Sequence, residues 1–155
     1  LLLFLLLSPT LAQDRAFAPQ ARRVALVIGN NAYRAPGASL QAAKPDAQAV
    51  AAELPALGFN PADIVTAYDT DLNALKAVIR RFLLSIHEGD TAFVYYAGHG
   101  AEVKGRNYLL PIEFNPEGDE LELVDQAYSA QDLLDRLEAS GAKARVLVLD
   151  ACRNN

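Results

Sequence analysis

The chain has 155 residues, enough for one domain with a core of ordinary size, and its composition of 52% hydrophobic and 21% charged residues excludes a disordered chain. Its formal net charge is −5, and no Lys/Arg cluster exceeds a pair such as Arg22-Arg23 or Arg80-Arg81, which sets nucleic-acid binding aside. One cysteine and two histidines exclude an internal disulfide and a zinc site of the Cys/His type.

The chain opens on Leu1-Leu2-Leu3-Phe4-Leu5-Leu6-Leu7, a run too short to span a bilayer. Pro9 breaks it, and Thr10 and Ala12 are small residues at signal-peptidase spacing. Residues 1–12 therefore read as a partial signal peptide, with the initiating Met and basic leader missing. The expectation is an exported protein, periplasmic or secreted, with no stable membrane span after signal cleavage. Residues 13–21, Pro-containing and polar, read as a linker.

Val24 to Ile28 is a short apolar run ending at Gly29 and reads as a buried parallel strand. Asp46 to Leu57 reads as a helix, with Asp46 as its cap, Pro55 bending its last turn and Gly58 closing it. Ile64 to Ala67 is a second strand. A helix follows from a cap at Thr70 or Asp71 to about Ile86, its apolar residues at Leu72, Leu75, Val78, Ile79, Phe82, Leu83 and Ile86 falling at helical spacing.

Ala92 to Tyr96 is a third strand, running into Ala97-Gly98-His99-Gly100. Val103 to Leu110, with Lys104-Gly105-Arg106-Asn107 at its middle, reads as a hairpin. Ser129 caps a helix to Leu137, and Asp132 near its start suits the dipole. Val146 to Leu149 is a fourth strand, ending at Asp150-Ala151-Cys152. Strands alternating with helices give an α/β domain with a mostly parallel sheet flanked by helices.

Two of these strands end in reactive residues, His99 and Cys152. Ligands of open α/β sheets bind beyond the carboxyl ends of the strands, so neighbouring strands would bring the pair to one edge. A thiolate is a nucleophile, and an imidazole can take the thiol proton and return one to a leaving amine. The N–H groups of Gly100 and Cys152 can serve as an oxyanion hole, with glycine at 100 leaving its N–H unobstructed and the chain free to turn. Taken alone, a lone Cys is most often a small buried apolar residue, and Gly-His-Gly a strand-to-loop turn. Their joint occurrence is what points to catalysis.

Arg23-Val24-Ala25-Leu26-Val27-Ile28-Gly29-Asn30, Tyr95-Tyr96-Ala97-Gly98-His99-Gly100 and Asp150-Ala151-Cys152-Arg153-Asn154-Asn155 resemble the large-subunit region of bacterial caspase-like cysteine peptidases, of the metacaspase and paracaspase kind. Gly105-Arg106-Asn107-Tyr108-Leu109-Leu110-Pro111 is similar to the segment that follows their catalytic His. The interval between His99 and Cys152 also matches the separation of about 50 residues found in caspases.

The resemblance implies that residues 22–155 form a caspase-like catalytic domain, with a Cys152-His99 dyad hydrolysing peptide bonds through an acyl-enzyme. It also implies further strands after the catalytic Cys, so the sheet is expected to be truncated there and the fragment itself to be inactive or insoluble. Animal caspases have Gln two residues before the Cys and cut after Asp. Here that position is Asp150, as in metacaspases and paracaspases, where it helps line the pocket for the side chain before the cut bond. A carboxylate there favours Arg or Lys and repels Asp; the competing reading is that Asp150 only caps the turn. Asn30 and Tyr33 are expected to shape the first loop.

The expected partners are protein or peptide substrates. No cofactor and no metal site is assigned, although some metacaspases use calcium. The alternatives are a non-catalytic caspase-like interaction module and a nucleotide-binding domain. Against the second, Gly29-Asn30-Asn31-Ala32 lacks both a Gly-x-Gly-x-x-Gly pattern and a phosphate-loop Lys.

Overall fold

A computed structural model describes residues 21–151. The expected signal peptide, nearly all of the linker, and Cys152 with the oxyanion N–H assigned to it lie outside the described residues. The central sheet has four parallel strands: β1 (Arg23–Gly29), β2 (Ile64–Tyr68), β3 (Thr91–Ala97) and β7 (Ala144–Asp150), in the order β2-β1-β3-β7. Each element read from the sequence as one of these strands is present.

β1 explains the layering. Ala25 and Val27 face one side of the sheet and pack with Ala43, Ala47, Leu54 and Phe59 of the segment led by helix α1 (Ala43–Glu53). Val24, Leu26 and Ile28 face the other and pack with Leu75, Ile79 and Phe82 of α2 (Leu72–Ser85) and Leu133 and Leu137 of α4 (Ala130–Ala139). A strand buried on both faces reads as a continuous apolar run, and this one does. From β1 the chain passes over α1 to β2 on one side, then crosses over α2 to β3 on the other, so the strand order reverses between β1 and β3. That switch point is where open α/β sheets bind ligands.

The helix expected over 46–57 starts earlier and divides. α1 begins at Ala43, ends at Glu53 and continues as a 3-10 turn over Leu54–Leu57, with Pro55 in its first turn and Gly58 closing it at φ 84°. Its N-cap, Ala42, has no capping side chain. Instead Asn31, in the loop after β1, accepts the Lys44 N–H through Oδ1 at 2.9 Å. Asp46 is therefore not the cap but a residue of the first turn.

Helix α1 lies close against the end of β1 because residue 29 is glycine. A Cβ there would stand 2.6 Å from Ala47 Cβ and 2.8 Å from the Ala43 carbonyl oxygen. Gly29→Ala is expected to push the start of α1 outward and destabilise the fold by about 1–3 kcal/mol, read as a lowered Tm by thermal denaturation.

Between β3 and α4 lies a small antiparallel sheet of β4 (Gly100–Val103), β5 (Arg106–Leu109) and β6 (Tyr128–Ser129). The hairpin expected from Val103 sits earlier. It turns at Lys104 and Gly105, with φ 51° and 76°, the two-residue geometry whose twist matches the strands. Its first strand thus begins at Gly100, directly after His99. The short α3 (Glu120–Gln126), capped by the Asp119 side chain, was not expected from the sequence; it is two turns long and sets only the half-buried Leu123 and Val124 against the core, too few for a helical stripe. Among the described residues no helix is long and apolar enough to cross a membrane.

Candidate active site

The pairing of β3 with β7 runs in parallel register to Ala97↔Asp150. His99 follows Ala97 by two positions, and Cys152 follows Asp150 by two. The chain thus brings the strand ends carrying both motifs to one edge, next to the β1–β3 switch point.

His99 is held at every level. Its N–H donates to Tyr33 Oη at 2.7 Å, and its carbonyl accepts from Tyr96 Oη at 2.7 Å and from the Leu110 N–H at 3.1 Å. The imidazole packs edge-on to the Tyr33 ring, with centroids 4.4 Å apart. Nε2 lies 2.7 Å from the carbonyl oxygen of Ala38. A carbonyl can only accept, so Nε2 carries the proton, and in the neutral ring Nδ1 keeps the lone pair.

The glycines on either side of His99 divide their work differently from expectation. The strained turn is at Gly98, φ 157°, not at Gly100. A Cβ on Gly98 would stand 2.7 Å from Tyr33 Oη and 2.8 Å from Tyr96 Oη, the two hydroxyls that hold His99. Gly100 instead opens β4 opposite Leu109. Because His99 and Leu110 form the hydrogen-bonded pair next to it, Gly100 and Leu109 are a non-hydrogen-bonded pair. The Gly100 N–H therefore points away from β5.

Asn30 and Tyr33 do shape the first loop. Asn30 is fully buried; its Oδ1 accepts from the Thr70 N–H at 2.9 Å and its Nδ2 donates to the Leu110 carbonyl at 3.4 Å. Burial pushes the Tyr33 hydroxyl above its ordinary pKa, against hydrogen bonds that lower it, so it stays a neutral hydrogen-bonding group. Sequence reasoning missed Asp69, at the end of β2 with φ 52°. Its Oδ1 accepts from the Asn31 and Ala32 N–H groups at 2.8 and 2.9 Å, and its Oδ2 pairs with Lys44 at 2.7 Å.

Burial alone would raise the Asp69 pKa, but these bonds outweigh it and hold it below the ordinary value. Asp90, bound to the His87 N–H and to Arg22, is lowered in the same balance of burial against hydrogen bonds. The stability these two groups supply is complete above the ordinary carboxylate pKa and is lost as pH falls through their lower folded values. Asp69→Asn is expected to give a shallower loss of stability between about pH 5 and 2, checked by urea denaturation at each pH.

A cleft of 490 Å³ opens at the switch point between Leu40–Ala43, Asp46, Ala97–His99 and Asp150. Asp150 accepts from Tyr95 Oη at 2.9 Å. The Tyr95 pKa is pushed up to about 12 by burial first, then by the bond to Asp150 and by the charges of Asp150 and Asp46. Both carboxylates thus act on one place, and neither has a cationic partner among the described residues. Asp46, read from the sequence as a helix cap and not a pocket residue, is a pocket residue. Among the described residues no group of three or more His, Cys, Asp or Glu is arranged to hold a metal.

Comparison with known proteins bears on the same residues. The family described as "Caspase domain" matches residues 22–155. The chain belongs to the caspase-domain family. This caspase domain is 30% identical over 132 residues to human mucosa-associated lymphoid tissue lymphoma translocation protein 1, a match covering 84% of this chain and 15% of that protein. It is 27% identical over 84 residues to a probable protease of a Desulfuromonadales bacterium, covering 52% of this chain and 10% of that one.

Among solved structures, a Geobacter sulfurreducens protein matches at TM-score 0.59 and 21% identity, over 84% of this chain and 50% of that one, a likeness of fold. The caspase domain thus spans half of that solved chain and a smaller share of the curated relatives. Its family and a relative named a protease support a peptidase-type enzyme, as the motifs led one to expect.

Proposed function

We propose that this caspase domain is the core of a cysteine endopeptidase that cuts after Arg or Lys. The observation that carries the reading is the β3–β7 register, which gives His99 and Cys152 equal chain distances from the paired residues Ala97 and Asp150. Cys152 is the nucleophile. Nδ1 of His99 takes the thiol proton, while the Nε2–H bond to the Ala38 carbonyl fixes the ring and its tautomer.

The thiolate adds to the scissile carbonyl, and the developing oxyanion is met by the N–H groups of Gly100 and Cys152. The C–N bond breaks as Nδ1 returns its proton to the leaving amine, leaving a thioester. Water, deprotonated by Nδ1, then releases the new carboxylic acid and restores the thiol.

In the acidic cleft, Asp150 and Asp46 meet the cationic side chain before the cut bond. Their charges repel a substrate Asp there, and an Arg or Lys brings the neutralising partner that both carboxylates lack. The domain fits an exported protein acting on protein or peptide substrates, with no cofactor supplying the chemistry.

The test is an assay of fluorogenic peptides ending in Arg, Lys or Asp, on the natural full-length protein with and without calcium, beside Cys152→Ala. Cleavage after Arg or Lys that Cys152→Ala lacks is the expected result. Cleavage after Asp overturns the specificity, and a folded protein that cuts none of them is an interaction module instead.

A further inference from the structure

A second cleft, of 380 Å³, reaches His99 from its other side. Pro36 and Ala38 of the loop after β1 form one wall, Leu110 and Phe114 another, and Leu123 of α3 a third, with Gly100 and Ala101 at the mouth of β4. Apart from His99 no ionisable side chain lines it, and the Phe114 ring centroid stands 6.5 Å from that of His99. The acidic cleft includes Asp150 of β7; this one takes no residue from β7.

That difference orders the substrate. The attacking thiol belongs to the chain leaving β7, and the proton for the leaving amine comes from His99. Along the scissile bond the sequence must therefore run from the carbonyl on the β7 side to the amine on the His99 side. The side chain before the bond falls into the acidic cleft, beside β7. The residue released with the amine falls beyond His99, where the apolar cleft lies.

We propose that this second cleft is the leaving-group subsite and that it takes a large apolar side chain, such as Leu or Phe, directly after the cut bond. The assignment rests on the peptidase reading above. A Gly in that position leaves the cleft unfilled, and an Asp or Lys loses hydration to walls that offer no partner. The preferred substrate is thus a basic residue followed by an apolar one.

The experiment uses internally quenched peptides with Arg before the bond and Gly, Leu, Phe, Asp or Lys after it, hydrolysed by the full-length protein. Leu and Phe are expected to exceed Gly in kcat/KM by about 10- to 100-fold, with Asp and Lys no better than Gly. Because all five peptides give the same acyl-enzyme, the hydrolysis of that intermediate is common to them, and the difference belongs to kcat/KM.

Leu123→Glu places a carboxylate on the cleft wall and is expected to raise the Lys-to-Leu ratio by about tenfold or more. Ratios within one preparation do not depend on the fraction of active protein, and the series on the unaltered protein stands without the variant. Brisk cleavage after Arg with a flat or Gly-favouring series overturns the subsite and leaves the peptidase reading intact. A Lys-to-Leu ratio unmoved in an active Leu123→Glu protein overturns it likewise. Absence of cleavage across the whole series overturns both.

Discussion

Replacing His99 by Ala is expected to lower peptide cleavage by about 10⁴-fold or more while the protein stays folded. The size follows from the loss of both proton transfers, which act as a unit with the nucleophile. At about 1.4 kcal/mol per decade, that is roughly 5.5 kcal/mol of lost transition-state stabilisation. The fold survives because the position of residue 99 is set by its backbone, through Tyr33, Tyr96 and Leu110, and not by the ring.

The ring itself gives up one hydrogen bond to Ala38 and its contact with Tyr33, a loss of about 1–2 kcal/mol. Thermal melting checks the second part of the expectation, and stopped assays at high protein concentration the first. Cys152 is the single cysteine of these 155 residues, and iodoacetamide labelling followed on its own peptide reads the same pair independently. Its rate at pH 7 is expected to fall in His99→Ala, as the thiol loses the proposed base that takes its proton. An unchanged labelling rate would separate His99 from Cys152.

The second large effect concerns the acidic cleft. Asp150→Asn is expected to reduce kcat/KM for Arg and Lys peptides by about 100-fold, Asp46→Asn by about tenfold, and the pair together by about 10³-fold. Asn at 150 still accepts from Tyr95 Oη, so the variant changes charge with little change of shape. Asp46 lies across the cleft on α1 without the tyrosine bond, which is why its share is smaller. Peptides with Leu before the bond are the control, since they draw nothing from either charge. Equal losses on Leu and Arg peptides would make Asp150 a cap of the strand end and not a recognition group.

Most of the architecture is legible in the chain because each strand of the parallel sheet is a short apolar run and α2 carries a full apolar stripe. His99, Gly100, Asp150 and Cys152 stand out because they close such runs. What escaped notice was set by partners remote in sequence. Asp46 follows Pro45 and resembles a cap, but the capping is done by Asn31. Asp69 and Tyr96 look like an ordinary loop acid and an ordinary strand aromatic. Only the sheet order brings the first beneath the loop after β1, and only the folded loops bring Tyr33 and Leu110 to the hydroxyl of the second. The Ala38 carbonyl has no side-chain signature at all, and α3 turns only the half-buried Leu123 and Val124 to the core.

Asn31 and Asp69 have a kinetic consequence for the same edge. Five amides, those of Asn31, Ala32, Tyr33, Leu40 and Lys44, find their acceptors on just these two residues. Breaking the Asp69 contacts frees the first two directly and removes the anchor of the residue that serves the other three. The segment from Asn31 to Lys44 is therefore expected to open as one cooperative unit below the global unfolding free energy. Since it carries Ala38 and borders both clefts, each opening takes the imidazole's carbonyl partner and a wall of each cleft away together, and in the proposed enzyme the competent population follows a single local equilibrium.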